Sequence, residues 1–161
     1  MEQTNPRICF FTGHRSLEPT EVGAILDILR KTLEKLVADG ITRFRSGGAL
    51  GFDTLAALAV LDLRATYPHI QLELCLPCRD QMRVWDPQNQ QIYQSLLARA
   101  DRVVCLHETY VQGCMQERNR YLVRDSEIGV AFCTSDRGGS AYTVAYAKKQ
   151  GVPVINLARL L

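Results

Sequence analysis

The chain has 161 residues and a mass of 18.1 kDa, enough for one domain that buries roughly 70% of the surface its unfolded form exposes. A core of that size needs no disulfide or zinc to fold; hydrophobic residues at 47% and charged residues at 22% are ordinary for a globular chain, and 11 Gly and 6 Pro are too few for a disordered or collagen-like one. Nineteen Lys and Arg against 17 Asp and Glu leave a net charge of +2, and that balance argues against a dedicated nucleic-acid or membrane binder.

Short β-rich runs alternate with longer helical ones. Arg7 to Thr12 reads as the first strand. Residues 20–39 follow as an amphipathic helix, with Val22, Ile25, Leu26, Leu29, Leu33, Leu36 and Val37 at helical spacing between Pro19 and Gly40. Thr42 to Ser46 is a second strand, and Asp53 to Ala65 a helix apolar nearly all round. Ile70 to Leu76 alternates apolar with polar residues, a pattern that suits a sheet edge with one wet face. Pro87 to Ala100 is a helix, Arg102 to His107 a fourth strand and Met115 to Asp125 a helix. Ile128 to Cys133 is a continuous apolar strand, Ser140 to Gln150 a helix and Val152 to Leu157 a sixth strand. The pattern predicts a single α/β Rossmann-like domain over residues 1–161: a parallel sheet of about six strands with helices on both faces. The expected strand order is 3-2-1-4-5-6.

The longest apolar run, Leu55 to Leu61, falls far short of the ~18 residues a membrane span needs. The start of the chain does not read as a signal peptide. Cys9, Cys105 and Cys133 lie inside apolar strand-like runs, as core thiols do. Cys75 and Cys78 have C-x-x-C spacing, but only Cys114 and His107 are loosely available as further ligands, so no metal site is expected. Reduced thiols without an export signal point to the cytoplasm.

In sheets of this kind ligands lie outside the C-terminal strand ends, and four sequence clusters are expected there: Thr12-Gly13-His14-Arg15, Ser46-Gly47-Gly48-Ala49-Leu50-Gly51-Phe52-Asp53, Met115-Gln116-Glu117-Arg118-Asn119, and Arg137-Gly138-Gly139-Ser140-Ala141-Tyr142. In the expected order these follow the four central strands, 2-1-4-5, and ring one crevice. Gly47, Gly48 and Gly51, like Gly138 and Gly139, stand between a strand and a helix, where the backbone can approach a phosphate and a helix offers free N–H groups to an anion. Arg15, Arg118 and Arg137 add guanidinium groups suited to phosphate oxygens; Arg79 and Arg83 are further candidates to close one side. Asp53 either accepts from a ribose hydroxyl or stabilises its own helix. His14 either meets a phosphate or is a satisfied structural histidine. Tyr142 and Trp85 either stack on a base or pack. Arg118, placed in the first turn of its helix, opposes the helix dipole, so Arg118→Ala is expected to weaken ligand binding without destabilising the free protein.

Taken together, T-G-H-R, S-G-G-A-x-G-x-D, M-x-x-R-N and G-G-S-x-Y-T-V-x-Y-A-K-K resemble the YpsA-like proteins of the SLOG superfamily, which joins the LOG phosphoribohydrolases with the DprA/Smf proteins. The resemblance covers nearly the whole chain. It implies a Rossmann-like fold, a nucleotide-type ligand such as ADP-ribose, NAD or AMP, no required cofactor, and a homodimer. The ligand-binding residues it implies are Thr12, Gly13, His14, Arg15, Ser46, Gly47, Gly48, Ala49, Gly51, Asp53, Met115, Arg118, Asn119, Arg137, Gly138, Gly139, Ser140 and Tyr142. LOG enzymes pair M-x-x-R-K with P-G-G-x-G-T-x-x-E; this chain keeps Met115, Arg118, Gly138 and Gly139 but has Asn119 for the Lys, Arg137 for the Pro and Ala145 for the catalytic Glu. The expected function is therefore a nucleotide-binding or sensing domain. The alternatives are a nucleotide hydrolase relying on Asp53, Glu117 or Arg118, and a DprA-like single-stranded DNA binder, against which the low aromatic content of 7% argues.

Overall fold

The structure is a computed structural model that describes residues 5–161. Its strands are β1 (Ile8–Gly13), β2 (Arg43–Ser46), β3 (Gln71–Leu76), β4 (Arg102–Cys105), β5 (Ser126–Phe132) and β6 (Val154–Asn156). Its α-helices are α1 (Val22–Ala38), α2 (Phe52–Arg64), α3 (Pro87–Arg99), α4 (Cys114–Val123) and α5 (Gly139–Lys149). Each predicted strand and helix is present, and all strand pairs are parallel.

Side-chain alternation along the strands divides the core in two. Cys9, Phe11, Phe44, Leu72, Leu74 and Leu76 face one way, onto Ile25, Leu29 and Leu33 of α1, Ala56, Ala57 and Val60 of α2, and Tyr93 and Leu96 of α3. Phe10 and Cys75 face the other way, onto Leu122, Val123 and Ala147 of α4 and α5. Small residues let α2 lie close to the sheet: a Cβ on Gly13 would stand 2.5 Å from Phe52 Cβ.

The strand order is β4-β3-β2-β1-β5-β6, which corrects the expected 3-2-1-4-5-6. The first three helices cover one face, so the sheet grows in one direction for four strands before the chain returns over the other face. β4 is thus an edge strand and not a neighbour of β1; its Arg102 and Val103 are exposed. The expectation that β3 is the edge fails for the same reason. Its polar alternation is genuine, but Glu73 lies beneath α4 and is fully buried. Arg45 Nε donates to Glu73 Oε1 at 2.6 Å and Arg102 Nε to Oε2 at 3.0 Å, so the buried charge is paired. Arg45 also donates to the carbonyls of Tyr121 and Arg124 at the end of α4, where the helix dipole favours a cation. This cluster pins α4 across the sheet and so sets where its other end reaches.

Candidate functional site

The chain reverses direction between β1 and β5, the switch point where a crevice opens in such sheets. The loops there are knitted together. His14 N–H donates to Phe132 O at 3.2 Å. His14 Nε2 accepts the Thr134 N–H at 2.8 Å and lies 2.9 Å from Thr134 Oγ1, so the ring carries its proton on Nδ1. Phe52 N–H donates to His14 O at 3.0 Å. Gly51 has φ +78°, and a Cβ there would stand 2.5 Å from Arg15 O, so only glycine lets these two loops meet. Thr12 is buried below them and Arg15 is exposed.

The loop after β2 is enclosed. Ser46, Gly47, Gly48 and Ala49 are all buried. Ser46 Oγ accepts from Gly48 N–H at 3.2 Å and donates to Asp53 O at 2.9 Å. Ala49 N–H donates to Asp53 Oδ2 at 3.4 Å. Burial raises the Asp53 carboxyl to about 6, against the opposing pull of Arg118, the Ala49 N–H and Arg15. Arg118 is also buried, at 3% exposure. It lies in the second turn of α4 because the helix begins at Cys114. Its Nη1 donates to Gly47 O at 2.6 Å, and to Cys75 O and Gln81 Oε1 at 3.4 Å; its Nε donates to Asn119 Oδ1 at 3.1 Å. Burial lowers its pKa and the Asp53 carboxylate opposes that shift. Arg118 therefore props the glycine loop from beneath.

The loop after β5 is the reverse. Thr134 to Gly139 are all exposed. Gly138, the N-cap of α5, has φ +95° and no side chain caps the helix, which leaves the first-turn N–H groups facing outward. Arg137 beside it is exposed, its backbone N–H held by Ser135 Oγ at 3.1 Å. Asn119 Nδ2 would lie 3.8 Å from a Cβ on Gly139, which places the α4 motif close beside this loop. Ser140 is buried, with Oγ 3.8 Å from Cys133 Sγ.

Other candidates lie apart. Tyr142 stacks on Tyr146 at 6.3 Å and accepts from Arg120 Nη1 at 3.0 Å. Glu117 Oε2 is 2.7 Å from His107 Nε2, and Glu117 lines a concavity of about 710 Å³ between α4, α5 and the start of β5, together with Tyr146 of the last motif but away from both glycine loops. Arg79 pairs with Glu108 at the surface. Ala145 sits with Ala141, Val144 and Lys148 in a cavity beside β6, so a carboxylate there would face that cavity. All six cysteines are free thiols, and burial raises Cys9 and Cys75 well above the usual thiol range. Met115 and Arg15 line a smaller cavity of about 310 Å³, together with Asp80, Gln81, Arg83, Trp85 and Tyr110. Sequence reading missed Gln81, whose Nε2 donates to Gly47 O at 3.3 Å; a glutamine in a polar loop carries no signal of such a contact.

A parallel α/β sheet with motif loops gathered at one end of its central strands defines a Rossmann-like protein. The chain belongs to the YspA SLOG family, whose model matches residues 9–153. It is 30% identical over 136 residues to the uncharacterized SPbeta prophage-derived protein YoqJ of Bacillus subtilis, a match covering 76% of this chain and 80% of that protein. It is 33% identical over 118 residues to a UPF0398 protein of Halalkalibacterium halodurans, covering 71% of this chain and 62% of that protein. Among solved structures, DNA processing protein A from Helicobacter pylori, described for its single-stranded DNA binding mode, superposes with a TM-score of 0.68 at 22% identity, over 92% of this chain and 64% of that one. That likeness concerns the fold. Among the described residues no helix is long and apolar enough to cross a membrane.

Proposed function

We propose that this chain binds a phosphorylated nucleotide or nucleotide-derived small molecule above the ends of β1, β2 and β5, as a binding or sensing domain. The observation that carries the reading is the exposed, uncapped N-terminus of α5 at Gly138-Gly139, beside exposed Arg137, tied to the first motif through His14 and close to Asn119 of α4. Backbone N–H groups, a helix dipole and a guanidinium on the neighbouring residue suit phosphate oxygens. Catalysis has less support, because Asp53 is enclosed and Glu117 is held by His107.

The test is a thermal-shift and calorimetric series with AMP, ADP-ribose and NAD against neutral adenosine. A ligand at 100 times its dissociation constant adds about 2.7 kcal/mol, roughly 5–10 °C for a domain of this size. Arg137→Ala is expected to weaken phosphate-bearing ligands about tenfold or more, the cost of one charge-assisted hydrogen bond, with an unchanged transition in the free protein. No shift with any phosphorylated compound at millimolar concentration would remove the reading.

A single-stranded DNA reading is favoured by one feature, the exposed Tyr142 stacked on Tyr146 beside Arg120, since aromatic platforms with cations hold single strands. It predicts salt-dependent binding of a labelled oligonucleotide that Tyr142→Ala weakens.

A further inference from the structure

His14 holds the loop after β5 by a bond that allows one protonation state. Its Nε2 accepts the Thr134 N–H at 2.8 Å and lies 2.9 Å from Thr134 Oγ1. The hydroxyl can donate or accept, so it decides nothing; a backbone N–H only donates. Nε2 is therefore bare, and the ring is neutral with its proton on Nδ1. Two further contacts fix the residue. Its own N–H donates to Phe132 O at 3.2 Å, and the ring stands edge-to-face on Phe132 at 6.0 Å.

Thr134 is the point where this tie matters. Before it, Asn156 bonds both the N–H and the C=O of Cys133, at 3.1 and 2.8 Å. Beyond it the bonds stay within the segment: Ser135 O accepts from Cys133 Sγ, and Ser135 Oγ from the Arg137 N–H. Among the described residues, the His14 ring is thus the last tie from another element before Gly138 opens α5. A proton on Nε2 would set one donor against another at 2.8 Å, so protonation and the closed contact compete. The ionisable groups on the elements around the ring are Arg15 on its own loop, Asp53 of α2, Arg118 of α4, and Cys133, Asp136 and Arg137 after β5. None of them hydrogen-bonds to the ring among the described residues.

We propose that His14 is a positioning residue of the nucleotide site: as a neutral ring it latches the loop that leads to Gly138, and acid, by protonating it, releases the loop and the ligand. The proposal rests on the nucleotide reading. A loop already ordered loses less freedom when a ligand binds. The sign is the reverse of that for a histidine in contact with phosphate, which gains charge in acid and holds an anion more tightly.

Two measurements test it. Nitrogen-15 spectra of the imidazole rings read the tautomers at pH 8; the chain has three histidines, and His14→Gln assigns the signal. The Nδ1–H form is expected, and an Nε2–H form overturns the latch. Calorimetry then follows ADP-ribose between pH 8 and about pH 5.5, where its pyrophosphate does not titrate, unlike a phosphomonoester with its second pKa of about 6. Wild-type affinity is expected to fall in acid by about fivefold more than that of His14→Gln, the worth of one hydrogen bond. The glutamine offers an acceptor but takes no proton. Asp53, with its carboxyl raised to about 6, titrates in both proteins and cancels. Wild-type affinity that rises in acid, or parallel curves, overturns the latch and leaves the nucleotide reading standing. No signal from ADP-ribose, NAD or AMP at pH 8 overturns both. If His14→Gln does not fold, the titration of His14 in the same spectra must share its midpoint with the loss of wild-type affinity, and a different midpoint overturns the latch.

Discussion

Ser46–Gly51 and Thr134–Gly139 each join a strand to a helix through paired glycines, yet the first is almost wholly enclosed and the second lies open to solvent. In the first, the donors are spent internally, Gly48 N–H on Ser46 Oγ and Ala49 N–H on Asp53. A Cβ on Gly47 would meet Arg118 Nη1 at 2.6 Å and Asp53 Oδ2 at 2.8 Å. In the second, Gly138 has nothing within 4 Å of a Cβ position, and the helix it begins has no side-chain cap. One glycine pair serves close packing and the other leaves N–H groups free. Paired glycines between strand and helix therefore mark a tight turn, and exposure decides whether the turn offers anything to a ligand.

The largest expected effect breaks the comparison at the enclosed loop. Arg118→Ala removes the prop under Gly47 and leaves Asp53 without its buried cation. A hydrogen bond to a charged group contributes about 1.5–3 kcal/mol, so losing all four should cost more than about 3 kcal/mol, read as a fall in the denaturant midpoint. This reverses the sequence-based expectation that the free protein would be unaffected, because Arg118 is buried and makes four hydrogen bonds. An unchanged midpoint would show that the enclosed loop holds itself.

The second effect is pH dependence at the same loop. The folded carboxyl of Asp53 holds its proton up to about pH 6, against the ordinary 3.8 of an aspartate. Between those values the folded chain holds more protons than the unfolded one. The contribution of neutral Asp53 is therefore present at low pH and lost as pH rises through the folded value. In denaturation curves, Asp53→Asn should gain on wild type by up to about 3 kcal/mol between pH 4 and pH 7. A constant difference across that range would remove the buried carboxyl from the account.

The smallest effect is the sharpest contrast. Gly47→Ala should cost about 1–3 kcal/mol by overpacking. Gly139→Ala, whose Cβ would come no closer than 3.8 Å to Asn119 Nδ2, should stay within about 0.5 kcal/mol. Equal costs would mean that the two loops do not differ as their environments indicate.

Much was legible in the residues alone. Periodicity marked the six strands and the five α-helices, because the alternation of a strand and the stripe of a helix are written in neighbouring positions; the short 3-10 turn Leu157–Arg159 carried no such signal. The four motifs at strand ends were legible too, as was the family they resemble. Strand order was not: Arg102 to His107 reads like a central strand, and only the crossing of α4 over β3 and β1 shows that β4 lies at the edge. The wet face predicted for Ile70 to Leu76 proved to be a buried ion pair, since the partners of Glu73 come from Arg45 and Arg102, 28 and 29 residues away. The same holds for the site. The sequence by itself determined which residue types reach the crevice. The tertiary structure alone decided that Arg118 and Asp53 lie beneath the glycine loop and that Arg137 lies open, because burial is a property of what packs around a side chain and is not encoded at any single position.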